Sequence, residues 1–190
     1  MLPIQDAVPS GKAPLATIAL LVFNMVWFAL QWAAIAPGPL ASISPFAHPS
    51  TVHFVLNLLF LWLFGDNVEA RLGRPGFVAV YMAGGTLGAY AAWTVTGGAM
   101  ATPLGATCAV TSVLGAYFVL LPKSRVLILV PPPAILTEAP ALFFLGLWWL
   151  VHLATFAVPG AQPLLLAGPA ASFCAGAVAC LLARSRVVWE

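Results

Sequence analysis

The side chains able to do chemistry in this 190-residue chain are few, and most of them sit inside apolar stretches. His53 and Asn57 lie four residues apart, which puts them on one face if the segment is helical. An imidazole and a carboxamide so placed could donate hydrogen bonds to a ligand or to charge developing on an oxygen. They could equally be interior groups whose bonds fix contacts between helices, and spacing alone leaves both readings open. The sharper reading is a site close to one membrane surface, because His53 falls only a few residues into its apolar run.

Small residues repeat with the same four-residue step. Thr107, Thr111 and Gly115 form one stripe, Gly168, Ser172, Gly176 and Cys180 a second, and Gly84 with Gly88 a GxxxG. In a membrane such faces let two backbones approach closely, so the segments carrying the first two stripes are expected to touch. Cys108, Cys174 and Cys180 show neither metal-ligand spacing nor a disulfide framework and read as small apolar filler. No metal and no other cofactor is expected.

The elements that must position these groups are set by composition. The chain is 62% apolar and 6% charged, with a mean hydropathy of +1.03, against roughly 45–50% and about 25% in soluble domains. Water cannot be its main solvent. Apolar runs long enough to cross a bilayer lie near residues 14–36, 50–67, 77–97, 103–121, 139–158 and 163–183. The first begins at Pro14 and lacks a convincing cleavage site behind it, so it is expected to remain as helix one.

All seven basic residues, Lys12, Arg71, Arg74, Lys123, Arg125, Arg184 and Arg186, fall in the two tails and in the connections between spans two and three and between spans four and five. The positive-inside bias then places both termini in the cytoplasm. The net charge of +2 follows from that topology, and nucleic acid is not an expected partner. Residues 126–133 (VLILVPPP) are too short to span and end in three prolines, so they read as an interfacial segment leading into helix five, with Glu138 near the headgroups. The expected fold is a single all-α bundle of six membrane helices over residues 1–190.

The run from His48 to Gly73, with H-x4-H-x3-N followed by FGDNVEARLG, then GFVAVYMAGG, GATCAVTSVLGAYFVLLP and LGLWWL, resembles the rhomboid intramembrane serine proteases. The likeness covers roughly residues 14–185. It implies a six-helix rhomboid core whose cavity opens to the extracytoplasmic side. The expected location is the inner membrane of a bacterium.

The resemblance fails where the chemistry should be. Active rhomboids carry a nucleophilic serine in GxSG on helix four and a histidine base on helix six. Here the first motif reads Gly105, Ala106, Thr107, Cys108, and with Phe173 and Gly176 anchoring helix six, Pro169 stands at the histidine position. Ala171 and Ser172 replace two glycines. The extra methyl of threonine narrows its rotamer choice, and loss of a general base costs typically ~10²–10⁴-fold. The counterparts of His53 and Asn57 stabilise the oxyanion in the family, so His53, Asn57 and Cys108 would be a vestigial cavity here. His152 falls where the family often has glutamine, on the helix at the lateral gate. The first external connection, Pro37 to Pro49, is far shorter than the family's usual one.

The expectation is a rhomboid-fold pseudoprotease that binds, besides membrane lipids, the transmembrane helices of a partner complex. A degenerate peptidase using Thr107 is the enzyme-class alternative. A carrier or channel is disfavoured, since no chain of ionisable residues crosses the interior. Helices two and five, with Phe143, Trp148 and Trp149, are the expected partner surface.

Overall fold

The computed structural model describes residues 2–6, 13–33, 44–97, 104–130, 135–156 and 166–183. In chain order these form strand β1 (Leu2–Asp6), helices α1 (Leu15–Trp32), α2 (Thr51–Val95) and α3 (Gly105–Leu120), strands β2 (Arg125–Val130) and β3 (Ile135–Pro140), and helices α4 (Ala141–Phe156) and α5 (Ala167–Leu182). The helices α1 and α2 are long and apolar enough to cross a bilayer, and α3, α4 and α5 are shorter apolar helices.

Helix α2 has 45 residues, which at 1.5 Å each would run far beyond one bilayer. It bends at Gly73, whose φ of 71° and ψ of 163° lie outside the helical region. Only glycine adopts that backbone without strain, and Pro75 just beyond has no amide to lose. The two arms fold back on each other: a side chain at Gly65 would sit 3.3 Å from the ring of Phe77. The arms occupy the sequence expected for spans two and three, with a connection much tighter than the gap from residue 67 to 77.

Helix α3 is the centre of the bundle, with Leu104 to Tyr117 buried without a break. Its neighbours come so close that side chains have been exchanged for hydrogens. A Cβ at Gly176 would overlap the carbonyl oxygen of Ser112, and one at Gly115 the carbonyl oxygen of Phe173, so α3 and α5 touch backbone to backbone. At Gly88, on the second arm of α2, a Cβ would lie 2.7 Å from the Gly168 carbonyl and 2.9 Å from Cβ of Cys108. Two hydroxyls bond across these seams: Ser112 Oγ donates to Val80 O at 3.1 Å and Ser172 Oγ to Gly84 O at 2.9 Å. Neighbouring helices thereby gain directional bonds where lipid offers no hydrophobic drive.

Helix α4 is held differently, by large rings. Trp148 is buried with its centroid 4.7 Å from that of Phe60, and Trp149 meets Phe173 at 5.8 Å. The expectation that Trp148 belongs to an outward surface is therefore wrong. Its indole Nε1 donates to Thr111 Oγ1 at 3.3 Å, which draws the ring inward. Phe143 does face outward at 57% exposure, and with Phe23, Val26, Leu150 and Leu181 it belongs to an apolar exterior far larger than water-soluble proteins carry.

The all-α expectation needs correcting. Residues 125–140 form a hairpin, and β1 joins it to give an antiparallel sheet in the order β1-β2-β3. The run Arg125 to Val130 is rich in β-branched and aliphatic residues, and its backbone finds partners on both sides instead of lying unpaired at the interface. Residues 139 and 140, expected to open helix five, close β3, and the helix starts at Ala141. The ends expected at residues 34–36, 103, 157–158 and 163–165 lie outside the described residues, as do Lys12, Arg184, Arg186 and residues 37–43 of the first connection.

Candidate functional site

The segment 44–50 runs over the first turn of α3, and several groups pin it there. Ala106 N donates to Ala47 O at 3.1 Å, giving one otherwise orphaned helix amide a partner. Tyr81 Oη donates to Pro45 O at 3.1 Å and also pairs with Asn24. The Gln31 carboxamide grips His48 from both sides of its peptide, donating to His48 O and accepting from His48 N at 3.1 Å. Close under this strap, a Cβ at Gly105 would overlap Ser44 O, so only glycine fits.

Beneath the strap lies Thr107, fully buried. Asn57 Nδ2 donates to Thr107 Oγ1 at 3.3 Å and lies 3.1 Å from His48 Nδ1, so one carboxamide links a hydroxyl on α3 to an imidazole in the strap. Thr111 Oγ1 donates to Thr107 O at 2.6 Å and accepts from Trp148. One turn further along α4, Nδ1 of His152 lies 2.9 Å from Trp148 O, and its ring is 5.6 Å from that of His53.

The histidine joined to Asn57 is therefore His48, not His53. His53 is half-buried and turns back to its own helix start, where Ser50 Oγ caps its amide at 3.3 Å and meets its Nδ1 at 3.0 Å. A four-residue step placed His53 and Asn57 on one face, but the N-cap claims the imidazole. His48 was missed because it precedes the helix, where periodicity says nothing. The signals that could have found it were the first histidine of H-x4-H-x3-N and the lone Gln31 at the end of an apolar run.

Cys108 points away from Thr107 into the junction of α2, α3 and α5, where a Cβ at Gly168 would come within 3.2 Å of its sulfur. Pro169 is buried in the first turn of α5. A proline there costs no helical hydrogen bond, because that amide would lack a partner anyway. It brings no titratable group to the site. Among the described residues no group of three or more His, Cys, Asp or Glu is placed to hold a metal ion.

The family profile described as the rhomboid domain matches residues 39–186. The chain belongs to the rhomboid family. Family membership makes it an integral membrane protein and relates it to intramembrane proteases. It is similar to presenilin-associated rhomboid-like protein A, mitochondrial, of Danio rerio, at 32% identity over 93 residues, 47% of this chain and 24% of that protein. The mitochondrial presenilin-associated rhomboid-like protein of Mus musculus is 32% identical over 102 residues, 53% of this chain and 27% of the relative. Rhomboid protein 1, mitochondrial, of Saccharomyces cerevisiae is 32% identical over 93 residues, 47% and 27% of the two chains. The chain thus spans about a quarter of the length of the curated relatives it matches. No solved structure matches.

One consequence of the rhomboid strap is a pH dependence. Burial first, and the nearby His53 second, bring the His48 imidazole down from 6.5 to about 4. Between those values the unfolded chain binds the proton more readily than the folded one, so stability present above about pH 6.5 is lost as the pH falls toward 4. The melting temperature in mild detergent should drop on going from about pH 7.5 to about pH 5, and His48→Gln should flatten that drop. An unchanged pH profile in the variant would refute the assignment to His48.

Proposed function

We propose that this rhomboid-family protein is a pseudoprotease that acts as a membrane scaffold or accessory subunit, binding transmembrane helices of a partner complex. The observation that carries the reading is the state of Thr107: its hydroxyl is fully buried under the 44–48 strap and paired with a carboxamide, while α5 offers Pro169 where the family has its base. A carboxamide does not take up a proton at neutral pH, so the Asn57 bond orients the hydroxyl without activating it. Helix binding is supported by the contrast between seams. Helices α2, α3 and α5 meet at backbone distance, whereas α4 rests on the rings of Trp148 and Trp149, an interface that can yield to another helix with less loss of packing.

In this reading the chain crosses the membrane six times with both termini in the cytoplasm, as the segregation of its basic residues favours. Its location is the inner membrane of a bacterium, and no cofactor takes part. The partner surface is the exposed side of α2 and α4, including Val52, Val55, Trp62 and Phe143.

A degenerate peptidase using Thr107 is the second reading, kept because an imidazole, that of His48, stands one carboxamide away from the hydroxyl. The purified protein is expected not to cleave generic rhomboid substrates and not to react with fluorophosphonate probes. Thr107→Ser alone should restore neither. Robust cleavage by the unmodified chain, abolished by Thr107→Ala, would establish the second reading over the first. For the scaffold role, extraction from its own membranes in mild detergent should retain a membrane-protein partner. Migration solely as a monomer in its lipid belt would count against it.

A further inference from the structure

The hairpin of β2 and β3 carries an apolar end that the bundle does not cover. Val126 and Ile128 of β2 are buried against the helices, and the register pairs them with Ala139 and Thr137. Further out on β3 the cover ends: Ile135 is 55% and Leu136 59% exposed. Adjacent strand residues point to opposite faces, so both faces of this overhang are apolar. Soluble proteins guard such an edge with charge. Here the sequence joining the strands is Val130, Pro131, Pro132, Pro133 and Ala134, with no charge at all.

Two features select what covers it. The first is continuity, since β3 runs straight into α4, whose Leu142 and Phe143 are 46% and 57% exposed on a face turned to lipid in an integral membrane protein. The second is charge. The base of the hairpin holds exposed Lys123 and Arg125, and the acid beside them, Glu138, already pairs with Arg125 at 3.3 Å.

We propose that this hairpin is a lipid-surface anchor: its apolar end lies in the headgroup boundary of the leaflet on the basic side, and Lys123 and Arg125 engage anionic phospholipid headgroups. The depth follows from the backbone. Among the described residues no strand lies beside the outer edge of β3, and amides and carbonyls left open there suit the wet headgroup layer, not hydrocarbon. Juxtamembrane Lys and Arg are drawn to anionic lipid over about a Debye length, so a hairpin lying along the surface brings both basic side chains within reach of the headgroups.

The test uses the full chain in nanodiscs of phosphatidylcholine with phosphatidylglycerol, carrying a spin label at Leu136→Cys or Ile135→Cys on a Cys174→Ser background, Cys108 and Cys180 being buried. Relaxation by oxygen should exceed that by a water-soluble nickel chelate, as for a control label at Leu142→Cys. Replacing phosphatidylglycerol by phosphatidylcholine, or introducing Lys123→Gln with Arg125→Gln, should move the label severalfold toward the chelate. A label that favours the chelate in the anionic discs would overturn the proposal by placing the hairpin in water. A label shielded from both reagents would overturn it too, by revealing a protein cover such as an added strand or a second copy. Immersion insensitive to lipid charge and to the Gln variants would refute the headgroup contact.

Discussion

Gly176→Ala should be among the most damaging single substitutions in this protein, lowering stability by about 3 kcal/mol or more, above the usual cost of overpacking because no rotamer can relieve it. The added methyl would overlap the Ser112 carbonyl oxygen, a backbone atom inside the most deeply buried helix. Relief requires α5 to withdraw from α3 along its length, loosening the Gly115 contact and the Ser172 bond to Gly84 as well. Gly115→Ala, against the Phe173 carbonyl, should behave alike. Both force the same separation, so the double variant should cost less than the two singly added. Gly146 on α4 is the control, because a Cβ there meets nothing within 4 Å. Gly146→Ala should be neutral or stabilising by up to ~1 kcal/mol through helix propensity. Thermal unfolding in mild detergent, followed by tryptophan fluorescence, gives the ranking. A Gly176→Ala protein that melts with the parent would show that the α3 and α5 backbones are not in contact.

That seam was legible in the sequence because membrane packing leaves so few ways to bring helices together: with lipid as apolar as leucine, close approach needs small residues, and these recur every four positions. The bend at Gly73 was less legible, since a glycine in so glycine-rich a chain gives no hint that its φ is positive. The hairpin carried a signal, RVLILV bounded by serine and prolines, but it is also the composition of an interfacial run, and nothing local separates the two. Of the groups gathered under the strap, the sequence singled out Asn57 by its four-residue step from His53 and Thr107 by the resemblance of GATC to the family's GxSG. His48 was not, because it precedes the helix, where no helical period links it to Asn57, and it is placed by tertiary bonds from Gln31 on another helix. Trp148 was misplaced for a related reason: an indole in an apolar helix looks like lipid surface until its N–H finds Thr111.

Glu69→Ala should be the second large loss, about 2–3 kcal/mol, the cost of leaving buried donors without their charged acceptor. The first turn of any helix has amides with no partner in the helix, and α1 begins at Leu15 after Pro14 with no side-chain cap of its own. Glu69, from the first arm of α2, supplies the missing cap. Its Oε1 accepts from Ala16 N at 3.1 Å, and its Oε2 accepts from Thr17 N at 2.7 Å and from Thr17 Oγ1 at 2.8 Å. A carboxylate also suits the positive end of the helix dipole. Arg74 completes the group from just beyond the bend, 3.6 Å away and 59% exposed. That exposure makes the ion pair the minor part, so Arg74→Ala should cost under ~1 kcal/mol. Glu69→Gln should fall between, because one amide oxygen accepts where two carboxylate oxygens did, and the amide nitrogen then faces a donor. Water can soften the alanine variant, since a cavity of about 290 Å³ lined by Pro14, Glu69 and Arg74 borders the carboxylate. The order Ala, then Gln, then Arg74→Ala, read as melting temperatures, is the expected result. Equal losses for Glu69→Ala and Arg74→Ala would mean that the salt bridge, not the helix cap, is what Glu69 contributes.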